Sequence, residues 1–322
     1  MLELFAWGPG LDQPSFDPFC LSIEAYLNLT QVKWVVNECS SPYISPSGEL
    51  PVLKIQFEPI TGTASIIKVL KLRGHDLDQD LSPLQLAESQ AFISLIEDKL
   101  YDALLYTWWI EQDNYVNSIQ PTMGTHLSFF NKYMIPGQIR DRVRSRLGVV
   151  RYVKFGDDYV PEIYATAHEC YKALADKLGE KSFFFGDTPT TLDAIAYGHL
   201  SLHAFPSLKV PALFTMLAFQ FPTLIAFCER MRQHTFTTPL IRSPNERPTL
   251  RYLIGDFMTD PQSYLAWAWE GFQTQIVTDK TKEERVERFW KGATVVGAMV
   301  FFTAFIVKNR IVEVEMDLKA EE

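Results

Sequence analysis

The sequence predicts a small α/β unit, then an all-helical unit, with an apolar helix near the end of the chain. Three observations carry this. Strand-like and helical runs alternate only up to Gly74, after which the strand signals stop. Phe183 to Phe205 reads FFFGDTPTTLDAIAYGHLSLHAF, a turn and helix start followed by an almost uncharged apolar run, the pattern of a helix buried on every side. Gly292 to Val307 contains no charge and is bracketed by bases.

In order, Leu2 to Trp7 reads as a strand, closed by the Gly8-Pro9-Gly10 turn. Cys20 to Leu29 has apolar residues at helical spacing, and Val32 to Val36 is a second β-rich run. A loop then feeds Leu50-Pro51 and the short strand Val52 to Ile55, and Ala64 to Leu72 supplies a helix ended by Arg73-Gly74. This order fits a thioredoxin-like domain over 1–75. Leu84 to Glu111 reads as one long helix started by Ser82-Pro83, and further helices are expected over Gln138 to Tyr152, Val160 to Leu178 and Pro222 to His234. They form an all-helical domain over 82–234. Within it Thr190 and Asp193 have the spacing of a capping box that opens the central helix. Residues 235–284 read as linker and peripheral helices, and 285–310 as a transmembrane tail anchor.

The anchor reading rests on eight Val, Phe or Ile residues, Phe301, Phe302 and Phe305 among them. On an insertion scale these sum to roughly −2.4 to −4.8 kcal/mol. About 16 residues rise only about 24 Å against a hydrocarbon core of about 30 Å, so Lys291 and Lys308 must snorkel or the bilayer must be thin. Gly292 opens the run, and Ala293 with Gly297 gives a small-residue face for a partner helix. A buried terminal helix of the soluble fold is the alternative; basic residues at both ends favour the membrane.

At 322 residues and 47% hydrophobic content the chain can build a sizeable core, and a net charge of −9 argues against nucleic acid as a partner. The four cysteines are scattered, with no CxxC pair, as expected of reduced structural thiols. Motifs for phosphate loops, zinc proteases, serine hydrolases and dinucleotide binding are missing from the sequence. His199 and His203 are spaced i, i+4 and could share a metal, but without an evident third ligand they read as core histidines satisfied by hydrogen bonds, so no metal is assigned. Arg140, Arg142, Arg144 and Arg146, with Arg151 and Lys154 beyond them, concentrate positive charge. They read equally as a solvated helix face or as a contact for anionic lipid head groups.

A thioredoxin-like half, an all-helical half and the GDTPTTLDA cap resemble the glutathione transferase fold. More narrowly, SPSGELPVL at 45–53, TWWIEQDNYV at 107–116 and KSFFFGDTPTTLDA at 181–194 resemble metaxins over most of residues 1–234. The resemblance places a ligand site at the start of the first helix, where a hydroxyl or thiol would stabilise a glutathione thiolate. That region here reads PSFDPFC. Asp17 stands where a CPxC-type member has its first cysteine, and an anion there raises a thiol's pKa. Ser15 and Cys20 remain as candidates, and Pro51 keeps the proline that the fold holds in cis. The acid-serine pair that grips the ligand's amino end falls at Ala64-Ser65, so Ser65 stays and the acid is lost, costing on the order of 2 to 5 kcal/mol of binding.

The expected site is therefore a degraded glutathione-like one, with no catalytic residue and no cofactor. The resemblance implies a non-enzymatic subunit of the mitochondrial outer-membrane sorting and assembly machinery, its bulk facing the cytosol, that assists β-barrel import. Its implied partners are a second metaxin-like subunit, an outer-membrane β-barrel assembly protein, β-barrel precursors and the lipid bilayer. The alternative is a membrane-tethered glutathione transferase-type enzyme using Ser15 or Cys20.

Overall fold

In the computed structural model of the chain, the described residues are 2–39, 45, 49–55, 58–127, 131–148, 159–236 and 242–243. They lie within one compact unit, Met1–Arg247. The anchor residues Gly292, Ala293, Gly297, Phe301, Phe302 and Phe305, like Arg151 and Lys154, lie outside the described residues.

Strand β1 (Leu2–Ala6) is followed by α1 (Pro18–Leu29) and β2 (Trp34–Glu38), which pairs with β1 in parallel. This is a βαβ unit, with α1 as its crossover helix. Strand β3 (Val52–Ile55) runs antiparallel on the other side of β1, with Phe5 opposite Val52. Strand β4 (Glu58–Thr61) pairs with β3, with Thr61 opposite Val52, and leads into α2 (Thr63–Leu72). The predicted strands and helices of this half are all present; β4 was unmarked, because Glu58-Pro59 interrupts any alternating pattern. A two-residue strand β5 (Arg242–Ser243) joins the edge of β2, so the chain returns to its first sheet after the helical half.

The connection to the helical half is tied down. Tyr26 on α1 donates to the His75 carbonyl at 2.7 Å, and buried Asp78 accepts from both Lys71 and the Thr191 amide. Ser82 and Gln85 then form a capping box for α3 (Pro83–Leu95). The predicted long helix continues through a π-helical turn at Ile96–Leu100, α4 (Tyr101–Leu105) and a second π turn at Tyr106–Ile110. A short piece α5 (Gln112–Asn114), a third π turn at Tyr115–Ile119 and α6 (Gln120–His126) follow, in a stretch the sequence reading left unassigned.

Helix α7 (Asn131–Arg146) begins seven residues before the predicted start and runs through Pro136-Gly137. A proline in the first turns of a helix forfeits a single hydrogen bond, so the Pro136-Gly137 pair is tolerated. Helix α8 (Tyr159–Leu178) matches its prediction to one residue. Every residue of α9 (Thr191–Ala204) is buried, as the uncharged pattern requires. It packs on α1, α3, α10 (Ala212–Gln220) and α11 (Pro222–Thr235), and so joins both halves through one core. Helix α10 was not predicted, since Pro211 and Pro222 leave room for only ten residues between them.

Candidate functional site

The register of the sheet assembles the site. Pro51 lies just before Val52, which pairs with Phe5, so it sits beside the end of β1 from which the chain proceeds to α1. Thr61 pairs with the same Val52, so α2 also begins at this end of the sheet. The start of α1, Pro51 and the start of α2 therefore share one edge of the fold. The Leu50–Pro51 peptide is cis, as the resemblance implied.

Asp17 closes the start of α1. Its Oδ1 accepts from the Cys20 amide at 2.8 Å, with Pro18 in the first helical position, so the carboxylate is a helix N-cap. The Asp-Pro step before an apolar run is a sequence signal for such a cap that a family comparison alone obscures. Ser15 is fully buried, and its Oγ accepts from the Asp17 amide at 3.3 Å. Cys20 is fully buried on α1.

The electrostatics oppose a thiolate. Burial pushes the Cys20 thiol well above its ordinary pKa, and Asp17 and Glu24 raise it further. Burial likewise lifts the Asp17 carboxyl to about 6 despite the amides that cap it, with a smaller contribution from Glu49. Ser65, in the first turn of α2, is exposed, and Gly62 ahead of it caps that helix with no side chain. The four predicted positions gather at one edge, but three of them, Ser15, Cys20 and Pro51, are buried and only Ser65 is exposed.

The loop between β1 and α1 is also covered. Gly10 and Gln13 exchange backbone hydrogen bonds across a tight turn whose central residues, Leu11 and Asp12, both have positive φ. Helix α6 presses on this turn. A Cβ at Gly8 would lie 2.6 Å from the His126 ring, and one at Gly10 would lie 2.6 Å from Thr122. His126 Nε2 hydrogen-bonds the Pro9 carbonyl at 2.9 Å, and its ring packs on Phe16. The chain's own helical half thus packs against this loop. These contacts link residues more than a hundred positions apart, and nothing local in the sequence signals them.

Thr190 and Asp193 form the predicted cap. The Asp193 carboxylate accepts from the Thr190 amide at 2.8 Å, the Thr190 hydroxyl at 2.7 Å and the Phe184 amide at 2.9 Å. The basic patch is largely paired. Arg146 binds Asp102 and Asp98, Arg144 binds Asp141, and Arg140 lies over the Tyr115 ring and donates to Gln112. Arg142 is exposed.

His203 shares a hydrogen bond with the Tyr171 hydroxyl, but the ring nitrogens of buried His199 meet no partner among the described residues. The expectation that hydrogen bonds satisfy both rings therefore fails for His199. It is held by edge contacts with Phe19 and Tyr101 at 5.2 and 5.9 Å between ring centres. Among the described residues no group of three or more His, Cys, Asp or Glu side chains is placed to hold a metal ion.

Burial pushes both imidazoles down to about 3, His203 adding to the effect on His199. A depressed histidine stabilises the fold fully above its unfolded value of about 6.5, and that stability drains away as pH falls toward the folded value. Asp17 and Asp193, raised to about 6, act with the opposite sign over an overlapping range, so the test is a comparison of variants. His199→Phe keeps the ring contacts and cannot bind a proton. Between pH 7 and pH 5 the natural chain is expected to lose about 2 kcal/mol more stability than the variant, read from urea midpoints at each pH.

The described residues have a glutathione-transferase-like fold. A family described as glutathione S-transferase, C-terminal domain, matches residues 167–231. The crystal structure of a β-etherase from a Sphingobium strain superposes with a TM-score of 0.51 at 15% identity, covering 74% of this chain and 96% of that one, which establishes the fold alone. A family described as outer mitochondrial membrane transport complex protein matches residues 20–140. Metaxin-1 of Bos taurus is 32% identical over 77% of this chain and 79% of its own length. Metaxin-1 of Mus musculus is 34% identical over 62% of this chain, and the match spans 65% of the mouse protein. The chain belongs to the metaxin family.

Proposed function

We propose that this chain is a non-enzymatic subunit of the protein import machinery of the mitochondrial outer membrane. It is held there by the tail at 285–310, and it helps to insert β-barrel precursors. Family membership and the transport-complex match support the location and the general role. The non-enzymatic part rests on one observation: the start of α1 is already used. Its amides are taken by Asp17, its thiol is buried among carboxylates, and the adjoining loop is clasped by α6. A transferase needs an exposed donor or a low-pKa thiol at that place.

In this reading the thioredoxin-like and helical parts supply surfaces for a second metaxin-like subunit and for an outer-membrane β-barrel assembly protein. The tail raises the local concentration of all three at the bilayer, with the bulk of the chain facing the cytosol. Purification of the full chain from membranes in mild detergent is expected to bring down a barrel protein and a second metaxin-like chain. Retention on immobilised glutathione, with conjugating activity that disappears in Ser15→Ala or Cys20→Ala, would refute the non-enzymatic reading.

Cys20 provides an independent check on the site. Its alkylation by iodoacetamide in the folded chain at pH 8 is expected to be slower than that of a free thiol by two orders of magnitude or more, on the order of the population that opens. The rate should return to the ordinary one in urea. Mass spectrometry of the Cys20 peptide reads both rates, and fast modification of the folded chain would contradict the geometry.

A further inference from the structure

From Val210 to Cys228 the chain carries no charge, between Lys209 and Glu229. Helix α10 buries Leu213 and Leu217 against the core, yet Phe214 is 42% and Phe219 84% exposed. The remaining exposed positions here, Pro211, Thr215, Gln220, Pro222, Thr223 and Ala226, are uncharged as well. Helices α10 and α11 meet at an angle of 103°, which makes Phe219 and Gln220 the tip of a corner.

The corner is rigidly held. The Asn114 side chain donates to the Val210 carbonyl and accepts from the Val210 amide, at 2.9 and 2.8 Å, fixing the entry to α10. At the other end Gln220 hydrogen-bonds His168 at 2.8 Å, and the Phe221 ring packs on His168 and Tyr171. An isolated exposed phenylalanine needs no explanation, but two on one braced helix, in a strip without charge, do.

We propose that the α10–α11 corner is a membrane-contact wedge that lays Phe214 and Phe219 into the head-group and acyl boundary of a bilayer. Two features select lipid over a protein partner. A protein interface of useful specificity carries charged or hydrogen-bonding groups at its rim, and this strip presents few, whereas an acyl boundary asks only for apolar depth. The base-flanked apolar run Gly292–Val307 also follows α11 in the same chain, so a bilayer is the apolar phase that the tether brings within reach. The inference rests on the tail-anchored reading and deepens it: the folded unit touches the membrane surface at α10.

The test uses the full chain with Phe219→Cys, Phe214→Cys or, as control, Ser94→Cys on exposed α3. Each is labelled with bimane, since the four native thiols are buried and resist labelling. The labelled chains are reconstituted into phosphatidylcholine–phosphatidylserine vesicles with and without brominated acyl chains, and flotation reports attachment separately. The expected result is blue-shifted emission and several-fold stronger quenching by bromine at 214 and 219 than at 94. Flotation with equal, weak quenching at all three sites overturns the wedge and leaves the anchor standing. Failure to float overturns both. Cross-linking from position 219 to a second copy or another protein, in place of bromine quenching, also overturns it.

Discussion

Replacing Gly198 with alanine is expected to destabilise the folded unit by about 3 kcal/mol or more, at the upper end of what overpacking costs. Gly198 lies midway along α9, where α9 crosses α1. A Cβ there would lie 2.6 Å from the Pro18 carbonyl oxygen and 2.7 Å from the Ser22 amide nitrogen, and closer still to the Ser22 hydroxyl. A rotamer change can remove the hydroxyl from the clash, but the two backbone atoms move only if the helices separate. In an ordinary helix the same substitution would gain about 1 kcal/mol, so the sign itself is diagnostic. Urea unfolding of the full chain in mild detergent reads the effect. Adding Ser22→Gly is expected to recover only part of the loss, because the Pro18 and Ser22 backbone contacts remain. A neutral or stabilising Gly198→Ala would mean that α1 and α9 do not approach this closely.

Asp193→Ala is expected to cost about 3 to 5 kcal/mol, the range for stripping the partner from buried, charge-assisted hydrogen bonds. Two backbone amides, Thr190 and Phe184, would lose their acceptor, and the Thr190 hydroxyl with them. The Phe184 bond ties the turn before α9 to the helix start, so the loss should extend beyond helix fraying. Asp193→Asn keeps the shape and one acceptor oxygen but turns an NH2 group toward donors, and is expected to recover about half the loss. Hydrogen exchange at the Phe184 and Thr190 amides gives a local readout, and protection retained in Asp193→Ala would contradict the assignment.

These two residues mark the limit of what the sequence discloses. The Thr190–Asp193 cap was legible because it is local: three residues, one turn, one spacing. Gly198 read only as a small residue in a buried helix, since its reason is the backbone of a helix some 175 positions earlier. The same division separates Asp17, whose Asp-Pro step announces a cap, from Gly8, Gly10 and His126, whose contacts appear only when α6 folds over the first loop. Strand β4 and helix α10 escaped for a related reason. Prolines at their ends or within them erase the periodicity on which a local reading depends, and pairing to β3 or packing on α9 then supplies what propensity did not.

By itself the sequence determined the order of most of the elements, a helix buried on all sides and the acidic residue at the first helix start. Each follows from residue types at short spacing, where chain connectivity sets the geometry. Only the tertiary structure decided that Cys20 and Ser15 face inward, that α6 packs against the loop between β1 and α1, and that Phe214 and Phe219 face outward on a braced corner. Burial is a property of what packs against a residue, and those neighbours arrive from distant parts of the chain.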